Sequence, residues 1–156
     1  MYLYLVQHGE AKSKEQDPDR SLTARGAEDV RLVAQFARRA GVSVSEIRHS
    51  GKRRAEQTAE ILADHLGLNK AVRATAGLDP NDDVAPVAVM LENAPDDIMI
   101  VGHLPFLSRL ASYLLADNAE HEVVRFQMGG IVCLERCEES SWRVAWMATP
   151  DLLRGL

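Results

Sequence analysis

The sequence predicts an α/β fold, a three-layer sandwich whose mainly parallel sheet has helices on both faces and an antiparallel edge. Two apolar runs, at residues 2–7 and 98–101, are typical of strands that are buried on both faces. Between them, helical patterns alternate with shorter strand-like runs, as expected for β-α-β units. The length of 156 residues suits one domain, so we expect residues 1–156 to form a single domain.

The first half of the chain contains two predicted helices with recognisable ends. Thr23 is a good N-cap for the first helix, and Gly41 is placed to end it. A short strand is expected near 46–49, and Ser50 would then cap a second helix that ends at Gly67. The residues expected to face the core are Val30, Val33, Ala34 and Ala37 in the first helix and Ala55, Ala59, Leu62, Ala63 and Leu66 in the second.

The second half is predicted to contain the remaining strands and two further helices. Asp82 or Asp83 would cap a short helix, and Pro105 stands near the start of a longer one, where proline is tolerated. Gly129 and Gly130 interrupt the chain before two closing strands. The expected ranges are 69–73, 131–136 and 142–148 for strands, and 87–91 and 104–116 for helices.

Composition excludes several classes of protein. Hydrophobic residues make up 46% and charged residues 26%, which are ordinary values for a globular chain. No run approaches the ~20 apolar residues of a membrane helix, and no leader is visible, so we expect no membrane association and a cytoplasmic location. Cys133 and Cys137 stand four apart in a predicted strand, about 13 Å from each other, and are expected to be free thiols.

Charge is distributed unevenly along the chain. The net charge of −5 argues against a general nucleic-acid binder. Residues 1–73 contain 13 of the 18 basic and 10 of the 23 acidic residues, a balance of +3, whereas the rest, with five basic and 13 acidic residues, has −8. An anionic ligand is therefore expected to bind to the first half.

Three polar fragments follow predicted strands: QHGE at 7–10, SGKRRAEQT at 50–58 and GHLP at 102–105. Because ligands bind at the carboxyl ends of parallel strands, topology predicts that these fragments converge. Taken singly, each is typical of an ordinary structural histidine or a solvated helix face. Arg53 and Arg54 nevertheless oppose the dipole of a first helical turn, which indicates an anion held there.

Together the fragments resemble the histidine phosphatase superfamily, which has the phosphoglycerate-mutase-like fold, and specifically its short SixA-type phosphohistidine phosphatases. The resemblance spans essentially the whole chain, and the small size of the chain favours the SixA-type branch over the mutases. Each motif is weak alone, but their order on the expected elements is specific. The motifs are HGE at 8–10, RSLTARG at 20–26, RAEQT at 54–58 and VGHLP at 101–105.

The resemblance implies a role for each site residue. His8 would be the nucleophile that forms a phosphohistidine intermediate, and Gly9 would allow close approach of the backbone. Arg54 would clamp the phosphoryl oxygens, and His103 would stabilise the transferring group. Neither a metal nor another cofactor is needed, since side-chain cations supply the charge. Further candidates for phosphate binding are Gln7, Arg20 and Ser50.

Two features depart from the family pattern. Gln7 replaces the first arginine of the family's Arg-His-Gly motif, so one positive charge is missing unless Arg20, Lys52 or Arg53 supplies it. No general acid is obvious. The candidate carboxylates are Glu10 and Asp83, with Asp79 and Asp82 as weaker ones that would equally suit a turn or helix cap.

The sequence leaves three functions to compare. The first is a phosphatase that acts on phosphohistidine in a phosphotransfer protein, because an imidazole leaves without a strong acid. The second is a phosphatase of small phosphate esters. The third, suggested by Gln7, is a module that binds a phosphorylated partner without hydrolysing it.

The pair Cys137 and Arg143 has the spacing of cysteine-dependent phosphatases. The segment 138–142 between them lacks glycine and carries two carboxylates, which would repel both a thiolate and a phosphate. A turn between two strands is the better interpretation.

Overall fold

The computed structural model describes residues 1–156 and contains one six-stranded sheet. The strand order is β3-β2-β4-β1-β5-β6; the first four are parallel, β5 is antiparallel to β1, and β6 is antiparallel to β5. This arrangement confirms the mainly parallel sheet with an antiparallel edge. The strands are β1 Tyr2–Gln7, β2 Glu46–His49, β3 Val72–Ala74, β4 Ile98–Gly102, β5 Ile131–Arg136 and β6 Trp142–Ala148.

Five helices cover the two faces of the sheet and complete the predicted three layers. They are α1 Ala24–Arg39, α2 Arg53–Leu66, α3 Ala85–Asn93, α4 Phe106–Ala116 and α5 Pro150–Arg154. Alternation along β1 separates two cores: Tyr4 and Val6 pack with α1, α2 and α5, whereas Leu3 and Leu5 pack with α3 and α4. Both faces of β1 and β4 are therefore buried, as their apolar sequences predict.

The predicted ends of the first two helices are largely confirmed. The Thr23 hydroxyl caps α1 by accepting a hydrogen bond from the Gly26 N–H, and Gly67 ends α2 in the left-handed conformation. Gly41, also left-handed, follows the C-cap Ala40. All of the predicted core residues of these helices are buried except Leu66, which is partly buried.

Several boundaries differ from the prediction. Ser50 does not cap α2, whose N-cap is Lys52, because the Ser50 hydroxyl bonds to His103 instead. The third strand is shorter and follows a 3₁₀ turn over Asn69–Ala71. Val84 stands at the N-cap of α3 without a side-chain bond, and the longer helix starts at Phe106, after Pro105. Helix α5 was not predicted.

The remaining sequence predictions concern the cysteines and membranes. Cys133 and Cys137 are both free thiols. The segment after β5 is a 3₁₀ turn, and Arg143 on β6 pairs with Glu135 at 2.8 Å, in agreement with a simple turn between strands. No helix has the length and hydropathy to cross a membrane.

The first turn of α1 is in close contact with the backbone that follows β1. A Cβ atom on Gly26 would lie 2.1 Å from the Glu10 carbonyl oxygen, and one on Gly9 would lie 2.9 Å from the Gly26 carbonyl oxygen. Only glycine at both positions allows this approach. The contact fixes the segment 8–10 against α1.

We expect Gly26→Ala to lower the free energy of unfolding by about 2 kcal/mol, because the new methyl group meets backbone that cannot move aside cheaply. Urea unfolding would measure this. The matched control is Gly155→Ala, where the added methyl group has no heavy atom closer than 3.9 Å. Equal stabilities of the two variants would show that the contact is not tight.

Candidate active site

The carboxyl ends of β1, β2 and β4 bring three polar segments together. Gln7 is paired with Gly102 across β1 and β4, and His49 is paired with Val101 across β2 and β4. His8, Ser50 and His103 therefore lie side by side at the carboxyl ends of three adjacent strands. The His8 N–H donates to the Gly102 carbonyl at 3.0 Å, which continues the β1–β4 ladder to the site.

His8 is held with one ring nitrogen free to react. Its Nδ1 lies 2.7 Å from the Gly9 carbonyl oxygen, so Nδ1 carries the proton and donates, and Nε2 keeps its lone pair. Burial lowers the pKa of His8, and the charges of Arg54 and Arg20 lower it further against the opposing effect of the Gly9 bond. At neutral pH the imidazole is uncharged, as a nucleophile must be.

His103 lies beside His8, with ring centroids 5.1 Å apart. Its Nε2 is 2.6 Å from the Ser50 hydroxyl, which accepts a bond from the Lys52 N–H at 3.3 Å. We assign the Ser50 O–H proton to the bond with Nε2, which places the proton of the neutral His103 ring on Nδ1. Burial, together with nearby His8 and Arg54, lowers the pKa of His103 to about 3.

The first turn of α2 is bonded to the His8 segment through Thr58. Its buried hydroxyl accepts from the Gly9 N–H at 3.0 Å and donates to the Arg54 carbonyl at 2.8 Å. The neighbouring Gln57 accepts from the Leu22 N–H at 2.7 Å. The RAEQT segment therefore holds two loops in place around Arg54.

Four buried side-chain polar atoms in the whole chain lack a hydrogen-bond partner, and three of them belong to this site. They are Gln7 Oε1, Arg54 Nε and His103 Nδ1, with Ser112 Oγ as the fourth. Buried polar groups are normally paired, and exceptions call for a ligand or another explanation. Two N–H donors beside a free imidazole nitrogen suit an oxyanion bound next to that nitrogen.

The other basic residues near the first turn of α2 differ in whether they lie close to the two histidines. Arg53 pairs with Glu56 at 2.6 Å and with Glu60 at 3.9 Å, so it does not replace the charge missing at Gln7. Arg20 and Lys52 both lower the pKa of His103 and therefore lie near it. Arg20 also has a left-handed backbone with φ of 51°, which is costly for a residue other than glycine.

The candidate acids are occupied elsewhere. The Glu10 carboxylate accepts from the Thr23 hydroxyl at 2.9 Å, and Asp83 accepts from the Ala85 N–H at 3.0 Å. Asp82 organises the same loop by accepting from the Asp79 N–H at 2.9 Å. Asp79 alone among them pairs with a cation near the histidines, Lys52, at 3.9 Å. None forms a hydrogen bond with either histidine.

Comparisons with known proteins agree with this geometry. A model of the histidine phosphatase superfamily, branch 1, matches residues 3–79. Phosphohistidine phosphatase SixA of Escherichia coli is 27% identical over 99% of this chain and 97% of its own. The structure of the protein histidine phosphatase SixA complexed with tungstate superposes with a TM-score of 0.86, at 26% identity over 98% of this chain and 99% of that one.

The chain belongs to the histidine phosphatase superfamily. Within that superfamily it is a SixA-type protein, as its motifs predict. The alpha-ribazole phosphatase of Shigella flexneri shares the fold, with a TM-score of 0.76 and 17% identity over 96% of this chain and 97% of its own. Proteins that share this fold are therefore named for different phosphorylated compounds.

Three residues that shape this candidate site have no role predicted from the sequence. Thr58 and Gln57 connect α2 to the two loops, and Gly26 lets α1 approach Glu10. All three stand in the motifs RAEQT and RSLTARG, so the signal was present. The structure holds no group of three or more His, Cys, Asp or Glu side chains arranged to bind a metal ion.

The depressed pKa of His103 predicts how stability depends on pH. Below pH 6.5, the ordinary pKa of histidine, the folded protein binds fewer protons than the unfolded chain does. His103 therefore does not lower the free energy of unfolding above pH 6.5, and it lowers that free energy increasingly as the pH falls toward 3. His103→Gln should reduce the slope of unfolding free energy against pH by up to about 1.4 kcal/mol per unit between pH 6 and 4. Urea unfolding at several pH values would measure it, and an unchanged slope would contradict the assignment.

Proposed function

We propose that this chain is a metal-independent phosphatase that forms a phosphohistidine intermediate on His8 and acts on phosphohistidine in a phosphotransfer protein. The observation that carries the proposal is the neutral His8 ring, with Nε2 free, beside the unpartnered donors Arg54 Nε and His103 Nδ1. A nucleophile next to donors without a protein acceptor is the arrangement that phosphoryl transfer requires.

In the first proposed step, the lone pair of His8 Nε2 forms a bond to phosphorus. The bond between phosphorus and the substrate's leaving atom breaks, and that atom takes the electron pair. The oxygens of the transferring group accept hydrogen bonds from Arg54 and His103, which stabilise the charge that they carry. Because Gly9 holds the Nδ1 proton, the phosphorylated His8 ring bears a positive charge that makes it a good leaving group.

In the second step, water attacks phosphorus on the phosphorylated ring. The bond from phosphorus to His8 Nε2 breaks, the ring recovers its lone pair, and inorganic phosphate leaves with the water oxygen. The proton lost by water passes to phosphate or to solvent. No step uses a cofactor, since Arg54 and, at the same site, Arg20 and Lys52 provide positive charge.

The position of the carboxylates supports the choice of substrate. Glu10, Asp82 and Asp83 each accept a hydrogen bond within the protein and Asp79 pairs with Lys52, so every candidate acid is already engaged and a leaving group that needs a strong acid is poorly served. A phosphohistidine ring that is protonated on its second nitrogen leaves as neutral imidazole, whose conjugate acid has a pKa near 6.5, and so it leaves more readily than an alkoxide. The likeness to a phosphohistidine phosphatase supports the same substrate.

Two other functions are compared with this one. The fold shared with an alpha-ribazole phosphatase supports a small phosphate ester as the alternative substrate. Gln7, which carries no charge, supports a module that binds a phosphorylated partner without hydrolysis. The free His8 Nε2 favours catalysis, because a binding module has no use for a nucleophile.

The proposed intermediate can be trapped. Incubation with a phosphorylated histidine-containing phosphotransfer domain, without added metal, should release phosphate and leave a phosphoryl group on His8 that is labile in acid and stable in base. His8→Ala should lose both the label and the turnover. Label that persists in His8→Ala would overturn the assignment of the nucleophile, and binding without phosphate release by the unaltered protein would favour the module.

Arg54 and Arg53 form a matched pair of variants. We expect Arg54→Ala to weaken tungstate binding by at least about tenfold, because a charge-assisted bond from the buried Arg54 Nε is lost. Arg53→Ala should change it by less than about twofold, since Arg53 is engaged with Glu56 and Glu60. Titration calorimetry would measure both, and equal losses would mean either that the wrong arginine is assigned or that both arginines bind the anion.

A further inference from the structure

Gln7 contributes an unpaired hydrogen-bond acceptor to a site whose other unpaired atoms are donors. Its Oε1 atom is buried and has no donor in the protein. The residue immediately precedes His8, and its partner across β1 and β4 is Gly102, which precedes His103. Gln7 therefore lies next to His8 in the chain and across from the residue that precedes His103. A buried acceptor without a donor is unfavourable until a ligand supplies one.

The other two unpartnered atoms of the site have the opposite requirement. Arg54 Nε is a donor, and His103 Nδ1 is also a donor in the assigned tautomer, in which the Ser50 O–H donates to Nε2 of the same ring. The complementary ligand must accept two hydrogen bonds and donate one. A fully deprotonated phosphoryl group only accepts, so it satisfies the two donors and leaves Gln7 Oε1 unpaired. A singly protonated phosphoryl group satisfies all three.

We propose that Gln7 accepts a hydrogen bond from the P–O–H of a singly protonated phosphoryl group, so that this site selects the monoanion over the dianion. The inference rests on the proposed function, because it assigns the protonation state of the phosphoryl group bound beside His8.

The charges around the site favour the same ligand. An uncharged side chain at position 7 leaves Arg20, Lys52 and Arg54 as the nearby cations, and Lys52 is partly neutralised by Asp79 at 3.9 Å. A monoanion needs less compensating charge than a dianion does. A rotated Gln7 amide, with its NH₂ toward the ligand, would instead donate to either species and would remove the selectivity.

Methyl phosphate and methyl sulfate form a matched pair of probes. At pH 5.5 methyl sulfate and most of the methyl phosphate carry a single negative charge, but only methyl phosphate has a proton to donate. Titration calorimetry should show methyl phosphate binding at least about tenfold more tightly, because methyl sulfate leaves the buried acceptor unpaired. Phosphorus NMR of the same samples would verify that methyl phosphate is not hydrolysed during the titration.

The pH dependence provides an independent measurement. A phosphate monoester loses its second proton with a pKa near 6, so raising the pH from 5.5 to 7.5 should weaken methyl phosphate binding by about 20-fold. Methyl sulfate does not titrate in this range, and its affinity reports any effect of the protein's own charged groups on the bound anion. Those groups are His8, Glu10, Arg20, Lys52, Arg54, Asp79 and His103.

Two variants test the role of Gln7 directly. Gln7→Leu removes the acceptor and should reduce the preference for methyl phosphate at pH 5.5 to within about twofold. Gln7→Arg replaces it with charged donors and should reverse the pH dependence, so that methyl phosphate binds more tightly at pH 7.5 than at pH 5.5. Thermal unfolding would establish that each variant is folded. If neither variant is folded, the affinities of the unaltered protein for the two probes, and their pH dependence, test the role of Gln7.

The outcomes separate this inference from the proposed function. Equal affinity of the unaltered protein for the two probes at pH 5.5, or methyl phosphate binding that does not weaken at pH 7.5, would overturn the role of Gln7 and leave the phosphatase proposal standing. Failure of the protein to bind either anion or tungstate would overturn the phosphatase proposal itself.

Discussion

The hydroxyl of Thr58 joins the two parts of the molecule on which the site depends. By accepting from the Gly9 N–H and donating to the Arg54 carbonyl, it sets the first turn of α2 against the segment that carries His8. Thr58 is completely buried, so no water competes for these bonds. The positions of the nucleophile candidate and of the phosphate-binding candidate are consequently coupled through one side chain.

Burial next to positive charge determines the chemistry of the two histidines. Desolvation lowers the pKa of both rings, and the nearby arginines act in the same direction, so both rings are neutral where the protein is expected to work. Hydrogen bonds then assign the tautomers: Gly9 holds the proton on Nδ1 of His8, and Ser50 leaves a proton on Nδ1 of His103. One ring therefore presents a nitrogen lone pair and the other an N–H, although the residue type is the same.

Much of the fold could be predicted because local patterns agree with the tertiary structure. The buried strands, the Thr23 cap of α1 and the Gly67 end of α2 can each be predicted from a few neighbouring residues. The site was harder, because its contacts join residues far apart in the chain. Ser50 has the sequence of a helix cap, yet the strand order places it 2.6 Å from His103, and that bond is formed instead. Arg53 and Arg54 are adjacent in sequence, and only packing distinguishes an exposed, paired arginine from one whose Nε is buried without a partner.

The sequence by itself determined the α/β class, the strands that end at the site, the family and the candidate residues His8, Arg54 and His103. These follow from periodicity and short motifs, which depend on neighbours within a few positions. Only the tertiary structure decided which atoms of those residues are free. Whether Gln7 Oε1, Arg54 Nε or His103 Nδ1 has a partner depends on groups contributed by other strands and helices, because burial and hydrogen bonding are properties of the packed chain and not of its local order.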